Sequence, residues 1–324
     1  MKKGCLIALV AVPLLLLIIA GIGAFVADRQ YGWTMADPVP HEQFAEPETR
    51  LRVSAKLDTL VDIFEATIPP GSIPSWLPVS AGGVIPEVLP HEIAVLGGAD
   101  YRENVYQLRV VVNERRGGPV VAQQLNDSGT FKDVSVVRWD PKGMRAEGRG
   151  VLIVEGSLPL EENLETRLLE QFPTAAPAQP MKLEGGHLLE VALDNTNGDL
   201  YTIVSAMQFT NGVTMAELEE NAQVKAGLDM LPGIFNLRLA LDRTGDDELT
   251  LQLHAEADAA TGSMLQLMLG GFGMGYIKPQ LKRQYNMDIE GSVAYDEPQQ
   301  ALTGKFTLTG FKEPLLKSLK GQQR

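Results

Sequence analysis

From Leu6 to Val26 the chain reads LIALVAVPLLLLIIAGIGAFV, without a charged side chain. At about 1.5 Å rise per residue this run makes a helix of roughly 30 Å, the thickness of a bilayer's hydrocarbon core. Whatever follows is therefore expected to be a body tied to a membrane. Lys2 and Lys3 precede the run and Asp28 and Arg29 follow it. The excess of positive charge keeps the N-terminus in the cytoplasm and puts residues 27–324 on the far side. The run is longer than the apolar core of a cleaved signal, and Phe25 spoils a small-x-small site before Ala27. A retained anchor is the expectation.

Cys5 is the only cysteine, so the exported body has neither a disulfide nor a cysteine metal site. A body of this length can bury enough core without such staples, which fits a bacterial envelope protein. The net charge of −13 repels phosphate backbones and argues against a nucleic-acid partner.

The chain divides into a cytoplasmic stub (1–5), a membrane span (6–26), a proline-bearing juxtamembrane tether (27–48), a first lobe (49–172), a Pro/Ala linker (173–182) and a second lobe (183–324). In the first lobe, Arg50–Lys56 alternates like a strand and Leu57–Ile68 shows a helical apolar face. Residues 69–90, with Trp76 among six prolines, read as a long loop. Strands are expected at Glu92–Gly97, Val105–Asn113, Val134–Trp139 and Met144–Gly156, the last two joined by a turn at Asp140–Gly143. Helices are expected at Pro119–Leu125 and Leu160–Phe172. In the second lobe, His187–Leu193 and Leu200–Met207 read as a hairpin around Asn195–Gly198. Thr214–Leu231 reads as one helix opened by a Thr214/Glu217 capping box. A hairpin of Leu237–Leu241 with Leu249–Ala257, a helical region over Ser263–Tyr285, a hairpin of Asp288–Tyr295 with Ala301–Gly310 and a helix at Glu313–Leu319 complete it.

The halves echo one another. Val53-Ser54-Ala55 matches Val204-Ser205-Ala206, Leu89-Pro90 matches Leu231-Pro232, and Val105–Arg109 matches Leu249–Leu253. Trp139-Asp140 matches Tyr295-Asp296, and Gly150–Gly156 matches Gly304–Gly310. The period is too long for a solenoid. It implies two similar lobes of order β-α-β-β-α-β-β-α. The fold class is α+β, with antiparallel sheets and helices packed on one face.

Chemical motifs are scarce. His41-Glu42 and His91-Glu92 open like zinc-protease helices, but neither has a second His four places on. Asp194–Asp199 (DNTNGD) has the wrong glycine position for an EF-hand and reads better as a turn. Arg138, Arg145 and Arg149 fall on neighbouring strands as a candidate anion-contact face, more simply a solvated, self-paired one. Met264–Ile277 (MLQLMLGGFGMGYI) is the oddest stretch. Met264, Met268, Gly271, Phe272 and Gly275 are candidates for an apolar ligand or contact surface, although a tightly packed core helix is the first expectation. On that expectation, Gly271→Leu destabilises the second lobe.

No catalytic residue, cofactor or metal is expected. The chain reads as a non-enzymatic envelope protein, held in the bilayer through Leu6–Val26 and acting on another envelope protein. The alternatives are a carrier or sensor of an apolar ligand or lipid, and an uncharacterised hydrolase whose residues converge only in space.

Overall fold

A computed structural model describes residues 37–66, 90–113, 122–123, 126–127, 140–147, 150–172 and 183–321. The Leu6–Val26 run, the 69–89 loop, Trp139, the linker prolines, Arg138 and Arg149 lie outside these residues. No helix among the described residues is long and apolar enough to cross a membrane.

The fold is α+β, built on one large antiparallel sheet. Its strands are β1 (Leu51–Lys56), β2 (Glu92–Asp100), β3 (Val105–Asn113), β4 (Asp140–Glu147), β5 (Val151–Pro159), β6 (Leu189–Asp194), β7 (Ile234–Gly245), β8 (Glu248–Ala257), β9 (Asp288–Asp296) and β10 (Ala301–Thr309). Their order is β4-β5-β3-β2-β1-β6-β7-β8-β10-β9. Counted outward from the centre, β1-β2-β3-β5-β4 repeats as β6-β7-β8-β10-β9. The two halves meet where β1 pairs with β6, with Leu51 opposite Leu193 and Val53 opposite Val191.

Period-2 patterning fixes the faces. In β8, Leu249, Leu251, Leu253 and Ala255 point to one face, while Gln252, His254 and Glu256 point to the other. β5 has Val151, Leu152, Ile153 and Val154 all buried, because both faces are covered there.

Helices cover one face. α1 (Val61–Glu65) follows β1, and α2 (Leu164–Gln171) follows β5. α3 (Asp199–Thr210), α4 (Met215–Glu219) and α5 (Ala222–Leu228) follow β6. α6 (Ala259–Gln266), a π-helical turn at Leu267–Gly273 and α7 (Met274–Tyr285) join β8 to β9, and α8 (Lys312–Gly321) ends the chain. One core joins Leu164, Leu168, Tyr201, Met215 and Leu228 of the helices to Tyr106 and Leu158 of the sheet. A second holds Ala255, Val293, Leu302 and Phe306 with Leu265 and Met274 above them. The third lies on the opposite face, where Val39, Phe44 and Ala45 cover Ala94, Leu96, Val111 and Ile153.

The halves interlock. α3 belongs to the second half but packs on β2, β3 and β5 of the first. In return, Asp62 of α1 is gripped by Arg243 of β7 and by Lys312 at the start of α8. The bonds from Arg243, helped by Lys312, outweigh burial and hold the Asp62 carboxyl far below the usual carboxylate range.

Several expectations need correction. Leu200–Met207 is not a strand but most of α3. Gly198, at φ +80°, turns the chain, and the Asn195 side-chain oxygen accepts the Leu200 amide at 2.7 Å. The Val204-Ser205-Ala206 echo of Val53-Ser54-Ala55 therefore pairs a helix with a strand. By contrast, Val105–Arg109 and Leu249–Leu253 do fall in equivalent strands, β3 and β8. Thr214–Leu231 is two short helices, α4 and α5, although the Thr214/Glu217 capping box is present. Asp140–Gly143 lies within β4, with a register shift between Pro141 and Gly143, and β4 pairs antiparallel with β5 up to Glu147 opposite Val151.

Candidate functional site

Three places gather chemistry. The first is a strap, residues 39–49, with a 3-10 turn at His41–Phe44, crossing the sheet face opposite the helices described above. Gly98 permits the crossing: a Cβ there would stand 2.3 Å from the Glu48 carbonyl oxygen. Glu92 of β2 is the hub. Its Oε1 lies 3.2 Å from His41 Nδ1 and accepts a short bond from Ser54 Oγ, and its Oε2 accepts from Asn113 Nδ2 at 3.1 Å. Asn113 Oδ1 in turn accepts the Val39 amide at 3.1 Å. Further along, Arg52 donates to Glu42 at 3.2 Å and to the Thr49 carbonyl at 3.2 Å, and Arg109 donates to Glu155 at 2.8 Å and to the Phe44 carbonyl at 2.5 Å.

Serine, histidine and glutamate thus meet, but in an order that does not activate the serine. In a nucleophilic triad the imidazole stands between hydroxyl and carboxylate. Here the carboxylate stands between Ser54 and His41. Burial opposes the charge on His41, but the bond to Glu92 and the fields of Glu92 and Glu42 raise its pKa above the ordinary value. Burial would likewise raise Glu92, yet the bonds from His41 and Ser54 lower it. The result is a half-buried His41–Glu92 contact that clamps the strap. In the sequence both His-Glu pairs stand out only as failed metal motifs. Their real use, His41 of one bonded to Glu92 of the other, has no local signal. Among the described residues no group of three or more His, Cys, Asp or Glu is placed to hold a metal.

The second place is the DNTNGD loop. Asp194 is committed to Arg50 at 3.1 Å and to the amide and hydroxyl of Thr196 at 3.0 and 2.6 Å. Asn195 donates to the carbonyls of Leu231 and Ile234 at 2.9 and 2.7 Å, tying the start of α3 to the entry of β7. Asp199, only 2% exposed, sits in the first turn of α3. Burial pushes its pKa up to about 7; Arg50 opposes the shift and Asp194 adds to it. Nearby, burial raises Tyr101 to about 12 and Tyr106 well above its ordinary value. The Tyr106 hydroxyl and Ser205 Oγ are buried without a hydrogen-bond partner.

The third place is the Met264–Ile277 stretch, and it overturns the core-helix expectation. Met264 is 49% exposed, Leu267 58%, Met268 48% and Tyr276 69%, with Leu269 and Ile277 also exposed. Gly271 and Gly275 are exposed as well; the side chain of Phe272 is outside the described residues. Among the described side chains of the stretch, Leu265 and Met274 pack against the core below. The close packing falls elsewhere, at Gly262, where a Cβ would stand 2.1 Å from the Tyr295 ring. At Gly271 the nearest atom to a new Cβ would be Leu267 Cδ1, at an ordinary 3.8 Å. An open groove between the π turn and β9 is lined by Ser263, Gln266, Leu267, Gly271, Gly291 and Val293.

Of the candidate anion face, Arg145 is exposed and paired with Glu155 at 2.7 Å and Glu147 at 3.7 Å. Comparison with family models, curated proteins and solved structures finds no match for this chain.

Proposed function

We propose that the chain is a membrane-anchored binding or scaffold protein of the bacterial envelope. Leu6–Val26 is its anchor, residues 27–48 its tether, and two related α+β halves outside the membrane form its working body. It acts by contact and not by catalysis. The observation that carries this reading is the Met264–Ile277 stripe, a run of large apolar side chains turned to solvent. Monomeric proteins rarely expose contiguous apolar surface of this kind unless something covers it in service. The polar clusters support the same reading, since the strap clamp and the Asp194–Arg50 pair bind one part of the chain to another. The mirrored strand order supports an origin of the halves by duplication.

Cell fractionation of the full chain tests this. Alkaline extraction should leave it in the membrane pellet, and protease added to spheroplasts should digest the body. Recovery in the soluble fraction, or protection of the body from outside protease, would refute the anchored placement.

A further inference from the structure

We infer that the Met264–Ile277 stripe is a second membrane contact, lying in the lipid interface beside the anchor. The inference rests on the contact-surface reading above and names what the surface touches.

From Ala259 to Ile277 there is no charged residue. Met264, Leu267, Met268, Leu269, Gly271 and Gly275 are all exposed along the end of α6, the π turn and the start of α7. The charge resumes abruptly and with one sign: Lys278, Lys282 and Arg283, all exposed, follow in α7, with Tyr276 and Tyr285 among them. Apolar side chains ending in tyrosine and basic residues form the pattern of helices that lie in a bilayer surface. The cations reverse the local sign on a chain of net charge −13, which otherwise repels anionic headgroups. Their partners are Glu290 at 3.9 Å and Asp288 at 2.6 Å, solvent-exposed pairs that leave the cations accessible.

The tether sets the reach. Val39 enters the fold beside Asn113, at the end of the strands where Glu92, Lys56, Glu248, Thr309 and Asp288 also lie. α7 ends at that same end, one turn before Asp288. Residues 27–36 span at most about 35 Å when stretched. Val39 is held at β3, on the opposite face of the sheet. From β3 to β9 is seven strand spacings of about 4.8 Å, roughly 34 Å. The tether must therefore run nearly extended for the anchor to stay in the bilayer while α6 and α7 lie on its surface. A protein partner would need a complementary apolar groove; a bilayer beside the anchor needs no such match.

The test uses the full chain reconstituted in vesicles of equal parts phosphatidylcholine and phosphatidylglycerol carrying a diazirine phospholipid, with cross-linked peptides mapped after photolysis. Lipid adducts are expected in Leu6–Val26 and in Met264–Ile277, and not on α2, where Leu169 is 60% exposed. The double variant L267E/M268E should cut adducts in Met264–Ile277 at least about tenfold, because each buried aliphatic side chain lost is worth that order of partitioning. Its unchanged melting temperature would show that the fold is kept. Adducts in Leu6–Val26 without any in Met264–Ile277 would overturn the inference and leave the anchor standing. Adducts in Met264–Ile277 alone would overturn the anchor and support the stripe. Cross-links from the stripe to a second copy or to added envelope protein, in place of lipid, would overturn the inference.

Discussion

Replacing Asp199 with asparagine should stabilise the protein above about pH 4, by an amount that grows until about pH 7, and flatten its stability between pH 4 and 8. Burial raises the Asp199 carboxyl to about 7 in the folded chain, against roughly 3.9 for an ordinary aspartate. Between those values the native state holds a proton that the unfolded chain has lost. Stability therefore falls as pH rises through that window, by about 1.4 kcal/mol per pH unit. Over the whole window the loss is on the order of 4 kcal/mol. The amide that replaces the carboxyl carries no charge to desolvate, and it fits the first turn of a helix. The variant should match the parent below about pH 4 and exceed it by a few kcal/mol at pH 8. Denaturant melts at a series of pH values decide it: two curves that run parallel would show that Asp199 is solvated or paired in the folded chain.

The second large effect is steric. Gly262→Ala should lower the melting temperature by about 5 °C, from a loss of roughly 2 kcal/mol. The new methyl would stand 2.1 Å from Cε2 and 2.4 Å from Cδ2 of Tyr295. The ring is held in place, because its hydroxyl donates to the Ala257 carbonyl at 2.9 Å and its backbone amide donates to Gln266 at 3.3 Å. Moving the ring breaks those bonds, and the gain in helix propensity of about 1 kcal/mol does not offset it. Gly271→Leu is the contrast. It gains a similar propensity, its Cβ would meet only Leu267 Cδ1 at 3.8 Å, the groove beyond is open, and it should leave the melting temperature unchanged or slightly higher. If Gly271→Leu were the damaging variant and Gly262→Ala the silent one, the packing of α6 on β9 would be misassigned.

The strands are legible in the sequence because alternation of apolar and polar residues is a local property. β8 and β10 show it, and their turns carry their own chemistry. α3 is not legible, since Thr202, Ile203 and Val204 have the composition of a strand. Its burial pattern, Tyr201 and Thr202 with Ser205 and Ala206, is helical and is set by the sheet of the other half. The strap clamp is hidden for a related reason: His41 and Glu92 meet only once the fold is made. At Met264–Ile277 the apolar residues are visible but their direction is not. Hydrophobicity marks a residue that gains from being covered, without saying by what. Gly262 and Gly271 look alike in the sequence, and only the position of Tyr295 separates them.

Methionine oxidation tests the central claim, that the stripe is covered in place, most directly. Mild peroxide treatment converts accessible methionines to sulfoxides, which peptide mass spectrometry reads. Met264 and Met268 are about half exposed on the isolated fold, while Met215 is fully buried. In intact membranes Met264 and Met268 should resist oxidation as Met215 does, and detergent extraction of the same full-length chain should make them reactive while Met215 stays protected. Equal oxidation of Met264 and Met268 before and after extraction would contradict it.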